Sequence, residues 1–116
     1  MKRINIKKGD SIIEEGQPSG SAYILESGKM EVSKTCINGE KKVMAVLEEK
    51  AFIGEMGLID GLPRSTTVTA IENCTVSEFT LEMFNSLAKR NPRALMPFLR
   101  ILASRLRSTL KIIEDD

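Results

Sequence analysis

"FIGEMGLIDGLPRSTTVTA", from Phe52 to Ala70, changes character twice within a short span. Phe52-Ile53 reads as the end of a strand, and Glu55 to Asp60 is an apolar run long enough for only one or two helical turns. Pro63 and Arg64 then lie in a loop, and Ser65 to Ile71 is dense in β-branched residues, the composition of a further strand. The first amides of a helix have no partners inside it, so with the helix dipole they favour an anion. Gly54 and Gly57 would let a ligand approach the backbone closely. Arg64, set on the far limb by Pro63, would add a permanently charged bidentate clamp. Glu55 would repel a bare phosphate, so its place beside an anion site makes sense if the ligand also offers a hydroxyl, as a ribose does. With one arginine and no lysine-rich phosphate loop, such a ligand carries few phosphate charges. The alternative is a solvated Glu55–Arg64 ion pair spanning the loop, a contact that contributes little.

Outward from this stretch toward the N-terminus, turn signals recur at short intervals: Gly9-Asp10, Gly16 to Gly20 with Pro18, Ser27-Gly28 and Asn38-Gly39. Between them Ile4 and Ile6 alternate with polar residues, Ala22 to Leu25 is a continuous apolar run, and Met30 and Val32 alternate again. Asn38-Gly39 predicts a two-residue type I′ hairpin joining a strand that ends near Ile37 to one over about Lys41 to Leu47. After Glu72-Asn73 comes a strand over Cys74 to Phe79. Seven or eight short strands predict a mainly β fold, a closed barrel, sandwich or jelly roll.

Beyond Phe79 the periodicity becomes helical. Thr80 can cap a helix with Met83, Phe84 and Leu87 on one face, ending at Asn91-Pro92. Leu95, Leu99, Leu102, Leu106, Thr109 and Ile113 then follow at heptad-like steps, a seam whose one polar member is Thr109. Such a helix either packs on its own barrel or pairs with a copy of itself. Pro97 predicts a kink or a helix that starts near Met96. The acidic residues Glu114, Asp115 and Asp116 oppose the dipole and predict fraying.

Composition excludes several classes. With 116 residues the chain suits one domain, and 41% hydrophobic with 28% charged residues is ordinary globular usage. A net charge of +1 lacks the basic excess of a generic nucleic-acid binder. No apolar run approaches the roughly 20 residues of a membrane span, and "MKRINIKKGD" lacks a secretory core, so a cytoplasmic protein is expected. Cys36 and Cys74 stand apart without metal or redox spacing. Histidine is absent, which removes the commonest general base and metal ligand, so neither an enzyme nor a metal protein is expected.

The same residues carry a family resemblance. The Phe52 to Ala70 stretch resembles the phosphate-binding cassette of the cyclic nucleotide-binding domain family, whose pattern runs roughly F-G-E-[LM]-[AG]-L through P-R-x-A-[TS]-V. "GQPSGSAYILESGKMEV" resembles the early strands of that family and "TLEMFNSLAKRNPRAL" its helices after the barrel, nearest to bacterial catabolite activators and cAMP-dependent kinase regulatory subunits. The resemblance implies one domain over residues 1–116: a jelly-roll-like β-barrel (double-stranded β-helix) over about 3–80, and C-terminal helices over about 81–114 that serve as lid or dimer seam. It implies a sensor or regulatory module whose ligand is cAMP, with cGMP as the alternative. It further implies that Arg64 binds the cyclic phosphate and Glu55 the ribose 2′-hydroxyl. Gly54, Met56 and Gly57 match cassette backbone positions, Ser65 a position whose hydroxyl reaches phosphate or base, and Val32 and Met44 positions flanking the nucleotide. Thr109 matches a final-helix position that reaches adenine from the dimer seam. The implied partners are the nucleotide and either a second copy through the last helix or a regulated protein. Thr66 departs from the family's alanine and would crowd the phosphate site or add a donor to it. Lys50-Ala51 replaces a Gly-Asp turn, and nothing after Ile113 resembles a helix-turn-helix, so DNA binding by this chain is not expected; with no apolar run of spanning length, neither is a membrane partner. A barrel of the same fold that has lost its ligand and serves as an interaction scaffold is the remaining reading.

Overall fold

The computed structural model describes residues 1–115, with side chains described through Lys111. The last helix runs on through Glu114 and Asp115, whereas Asp116, where fraying is also expected, and the side chain of Ile113 lie outside the described residues. The chain divides into two compact units, Met1–Leu81 and the helical remainder from Glu82.

The first unit carries eight strands: β1 (Lys2–Ile6), β2 (Ser11–Ile13), β3 (Ser21–Ser27), β4 (Met30–Thr35), β5 (Lys41–Leu47), β6 (Phe52–Ile53), β7 (Thr67–Ala70) and β8 (Cys74–Thr80). They form two four-stranded sheets, ordered β1-β8-β3-β6 and β2-β7-β4-β5, with antiparallel pairing throughout. Alternation of side chains along each strand turns one face inward. Leu25, Ile53, Cys74 and Val76 from the first sheet meet Ile13, Met30, Val68 and Ala70 from the second in one core. The barrel is thus two facing sheets rather than one closed ring, and the mainly β jelly-roll class with C-terminal helices stands. Phe52 and Phe79 meet edge to face at 6.4 Å beside this core.

The β4–β5 connection differs from the two-residue hairpin. Cys36 N–H donates to Glu40 O at 2.8 Å and Gly39 N–H to Cys36 O at 2.9 Å, while Gly39 has φ +86 and Asn38 does not enter the left-handed region. This is a three-residue loop, Ile37 to Gly39, in which a turn is followed by one left-handed glycine. Asn38 instead uses its side-chain oxygen to accept the Glu40 N–H at 3.0 Å.

The helix α1 (Glu55–Asp60) follows β6 directly, as the sequence pattern predicts. Leu58, 4% exposed, anchors it, and it packs against β3. Because β6 belongs to one sheet and β7 to the other, α1 and the loop after it carry the chain between sheets. In the second unit, α2 (Leu81–Arg90) leads through a 3-10 turn (Pro92–Leu95) to α3 (Met96–Asp115). Pro97 is the second residue of α3, where its missing N–H has no helical acceptor to lose, so no mid-helix kink arises. Phe84 and Phe98 meet edge to face at 6.1 Å within this unit. Among the described residues no helix is long and apolar enough to cross a membrane.

Candidate functional site

The sheet-to-sheet crossing gathers most of the polar residues singled out in the sequence. Gly54 caps α1 at φ +77, a backbone that only glycine adopts freely. A Cβ there would lie 2.6 Å from Arg64 Nη1 and 2.8 Å from Ile13 Cδ1, so the absent side chain is what admits the arginine. Arg64 in turn donates from Nη1 to Gly54 O at 3.1 Å and from Nη2 to Ser21 O at 2.6 Å. Its backbone is held as firmly: Arg64 N–H donates to Gln17 O at 2.8 Å and Gly16 N–H to Arg64 O at 2.8 Å. The guanidinium thus rests on two backbone carbonyls.

Burial lowers the proton affinity of Arg64, and the Tyr23 phenol acts in the opposite sense. An arginine starts so high that it remains cationic at neutral pH. Tyr23 on β3 is pushed up, first by burial and then by Glu78, against Arg64 and a Ser21 hydrogen bond. A neutral phenol and a charged guanidinium thus share this corner.

Glu55, the first residue of α1, is 3% exposed, which is unusual for a carboxylate. Its Oε1 is enclosed away from solvent, and the residue takes part in a further interaction. Met56 beside it is 56% exposed. At Gly57 the space a Cβ would fill is taken by Ser19, whose hydroxyl donates to Leu62 O at 2.8 Å. Gly57 thereby lets the Gly16 to Gly20 turn lock the loop that bears Arg64.

Ser65 is exposed and Thr66 half-buried as the loop enters β7. Val32 on β4 pairs with Val68 on β7 and with Ala45 on β5, and packs against the core. Met44 occupies the register shift between Ala45 and Val43 and is 57% exposed. It helps line an open cavity of about 680 Å³ along the hairpin, with Lys34, Thr35, Ile37 and Lys42. Thr109 lies on α3 in the second unit, exposed, with its hydroxyl donating to Arg105 O at 3.1 Å.

Sequence reading leaves out Ser19, Ser21, Tyr23 and Lys34, all in contact with or beside the Arg64 loop. Ser21 acts through a carbonyl, which carries no residue-type signal. Lys34 donates to Ser65 O at 3.0 Å, yet along β4 it reads as one more polar alternation.

Residues 3–91 match the family model described as the cyclic nucleotide-binding domain. A CRP-like cAMP-activated global transcriptional regulator of Mycobacterium tuberculosis is 24% identical over 115 residues, 99% of this chain and 51% of that protein. The cAMP-dependent protein kinase regulatory subunit of Yarrowia lipolytica is 35% identical over 82 residues, 71% of this chain and 21% of that protein. Among solved structures, the Thermus thermophilus catabolite activator protein superposes with a TM-score of 0.91 at 26% identity, covering 97% of this chain and 53% of that one. The chain thus spans about half the length of the regulators it matches, and a smaller share of the kinase subunit.

Proposed function

This chain belongs to the cyclic nucleotide-binding domain family, and on that premise we propose that it is a cAMP-sensing regulatory module acting through its last helix. The observation that carries the reading is the setting of Arg64. A partly buried guanidinium is fixed by the Gly54 and Ser21 carbonyls, neutral acceptors that leave its positive charge for a ligand anion. A single arginine matches the single charge of a cyclic phosphate.

Around it, Glu55 takes the ribose 2′-hydroxyl, and Gly54, Met56 and Gly57 supply backbone. Ser65 and Thr66 add hydroxyls at the phosphate, and Val32 and Met44 flank the nucleotide. Thr109 meets the base from α3. The whole of 1–116 works as one module, a barrel over about 3–80 and helices over about 81–114, in the cytoplasm and without catalysis. Ligand that touches both cassette and helix favours one helix position over another, a population shift in which the helix either closes as a lid or pairs with a second copy or a regulated protein. Adenine is preferred to guanine on the support of relatives whose names specify cAMP.

Calorimetric titration with cAMP and with cGMP tests this. Saturable binding of cAMP, tighter than that of cGMP, is expected. Silence with both at high micromolar concentration would defeat the sensor reading and leave a ligand-free scaffold.

A further inference from the structure

Lys34, next to the last residue of β4, joins elements that the sequence keeps far apart. Its Nζ donates to Ser65 O at 3.0 Å and lies 3.6 Å from Glu15 Oε2. The other Glu15 oxygen accepts the Thr35 N–H at 3.1 Å, and Glu15 N–H donates to Thr67 Oγ1 at 3.0 Å. The residues after Glu15, Gly16 and Gln17, bracket the Arg64 backbone with bonds of 2.8 Å each. One ammonium and one carboxylate therefore tie the turn end of the β4–β5 hairpin to the segment that follows Arg64 and to the Glu15–Gln17 stretch that brackets it.

From this we infer that Lys34 is a further positioning residue of the nucleotide site, holding the Arg64–Ser65 limb in its binding geometry from the hairpin. The inference rests on the reading of Arg64 as the phosphate ligand. The limb has no regular secondary structure, since β7 begins only at Thr67, so its shape depends on such cross-links. Lys34 and Glu15 have side chains 50% and 31% exposed, and a pair so placed adds little to global stability. Its effect is local: a charge-assisted bond on one carbonyl beside the arginine.

The experiment compares wild type, Lys34→Met and Lys34→Arg by cAMP titration and by amide hydrogen exchange of residues 64–67 in the unliganded chain. Lys34→Met should bind cAMP about three- to tenfold more weakly and exchange those amides faster. Lys34→Arg should return both close to wild type. Unchanged affinity in Lys34→Met overturns the inference while leaving the nucleotide site intact. Weaker affinity with unchanged exchange also overturns it, because the lysine would then act as a distant charge. A wild type that binds neither cAMP nor cGMP defeats the site reading itself and this inference with it.

Discussion

Lys50 holds a left-handed backbone, φ +74, at the third position of a turn closed by Ala51 N–H donating to Glu48 O at 3.1 Å. That position of a type II turn is glycine's, since a Cβ there meets the neighbouring peptide. Lys50→Gly should therefore stabilise the chain by about 0.5–1 kcal/mol, net of the entropy a glycine adds to the unfolded state; urea unfolding measures it, and a loss of stability would contradict the turn assignment. At Gly57 the direction reverses. Alanine there would drive a Cβ into Ser19, so Gly57→Ala should cost about 1–3 kcal/mol, and adding Ser19→Gly should recover part of it. Of the two thiols, Cys36 is exposed, whereas Cys74 is buried and burial pushes its thiol above the ordinary range. Labelling near neutral pH should modify one cysteine quickly and the other only on unfolding. Glu55, Arg64 and the glycines around them were legible in the sequence because their residue types are chemically costly elsewhere. Ser21 was not, because a carbonyl belongs to every residue.

Among the elements, α1 and the strands on either side of it follow from the sequence pattern, since glycines at each end and a proline beyond leave a short helix little freedom. The hairpin shows the limit of that reading. Asn38-Gly39 marks a reversal, but the bonds from Cys36 to Gly39 and Glu40 set its length, and those depend on where the β4–β5 register shifts near Met44. The seam on α3 leaves Leu99 and Leu106 more than half exposed within a unit whose own packing does not cover them. Thr109 is the polar break in that stripe, and its hydroxyl is bonded back onto Arg105 O at 3.1 Å. If Thr109 meets the base, Thr109→Leu should weaken cAMP binding about tenfold while Thr109→Ser stays near wild type. Equal affinity in all three would remove Thr109 from the site.

In the molecule as a whole, the proposed site lies where the chain crosses from the β6 sheet to the β7 sheet, with β3 and the Gly16 to Gly20 turn bonded to the same loop. Strand alternation made the two-sided core readable, whereas the gap between sheets was not, because ring closure depends on backbone pairing at the edges rather than on side-chain pattern. Ligand held by so many separate segments should stabilise the fold by mass action, about 2.7 kcal/mol at one hundred times the dissociation constant, visible as a rise in Tm with cAMP. Titrating wild type and Arg64→Ala with cAMP tests whether Arg64 is held for a cyclic phosphate. Saturable binding by wild type is expected, with a loss of about 2–4 kcal/mol in the variant, on the order of a thirty- to thousandfold weakening. Arg64→Ala binding cAMP as tightly as wild type would contradict that role for Arg64.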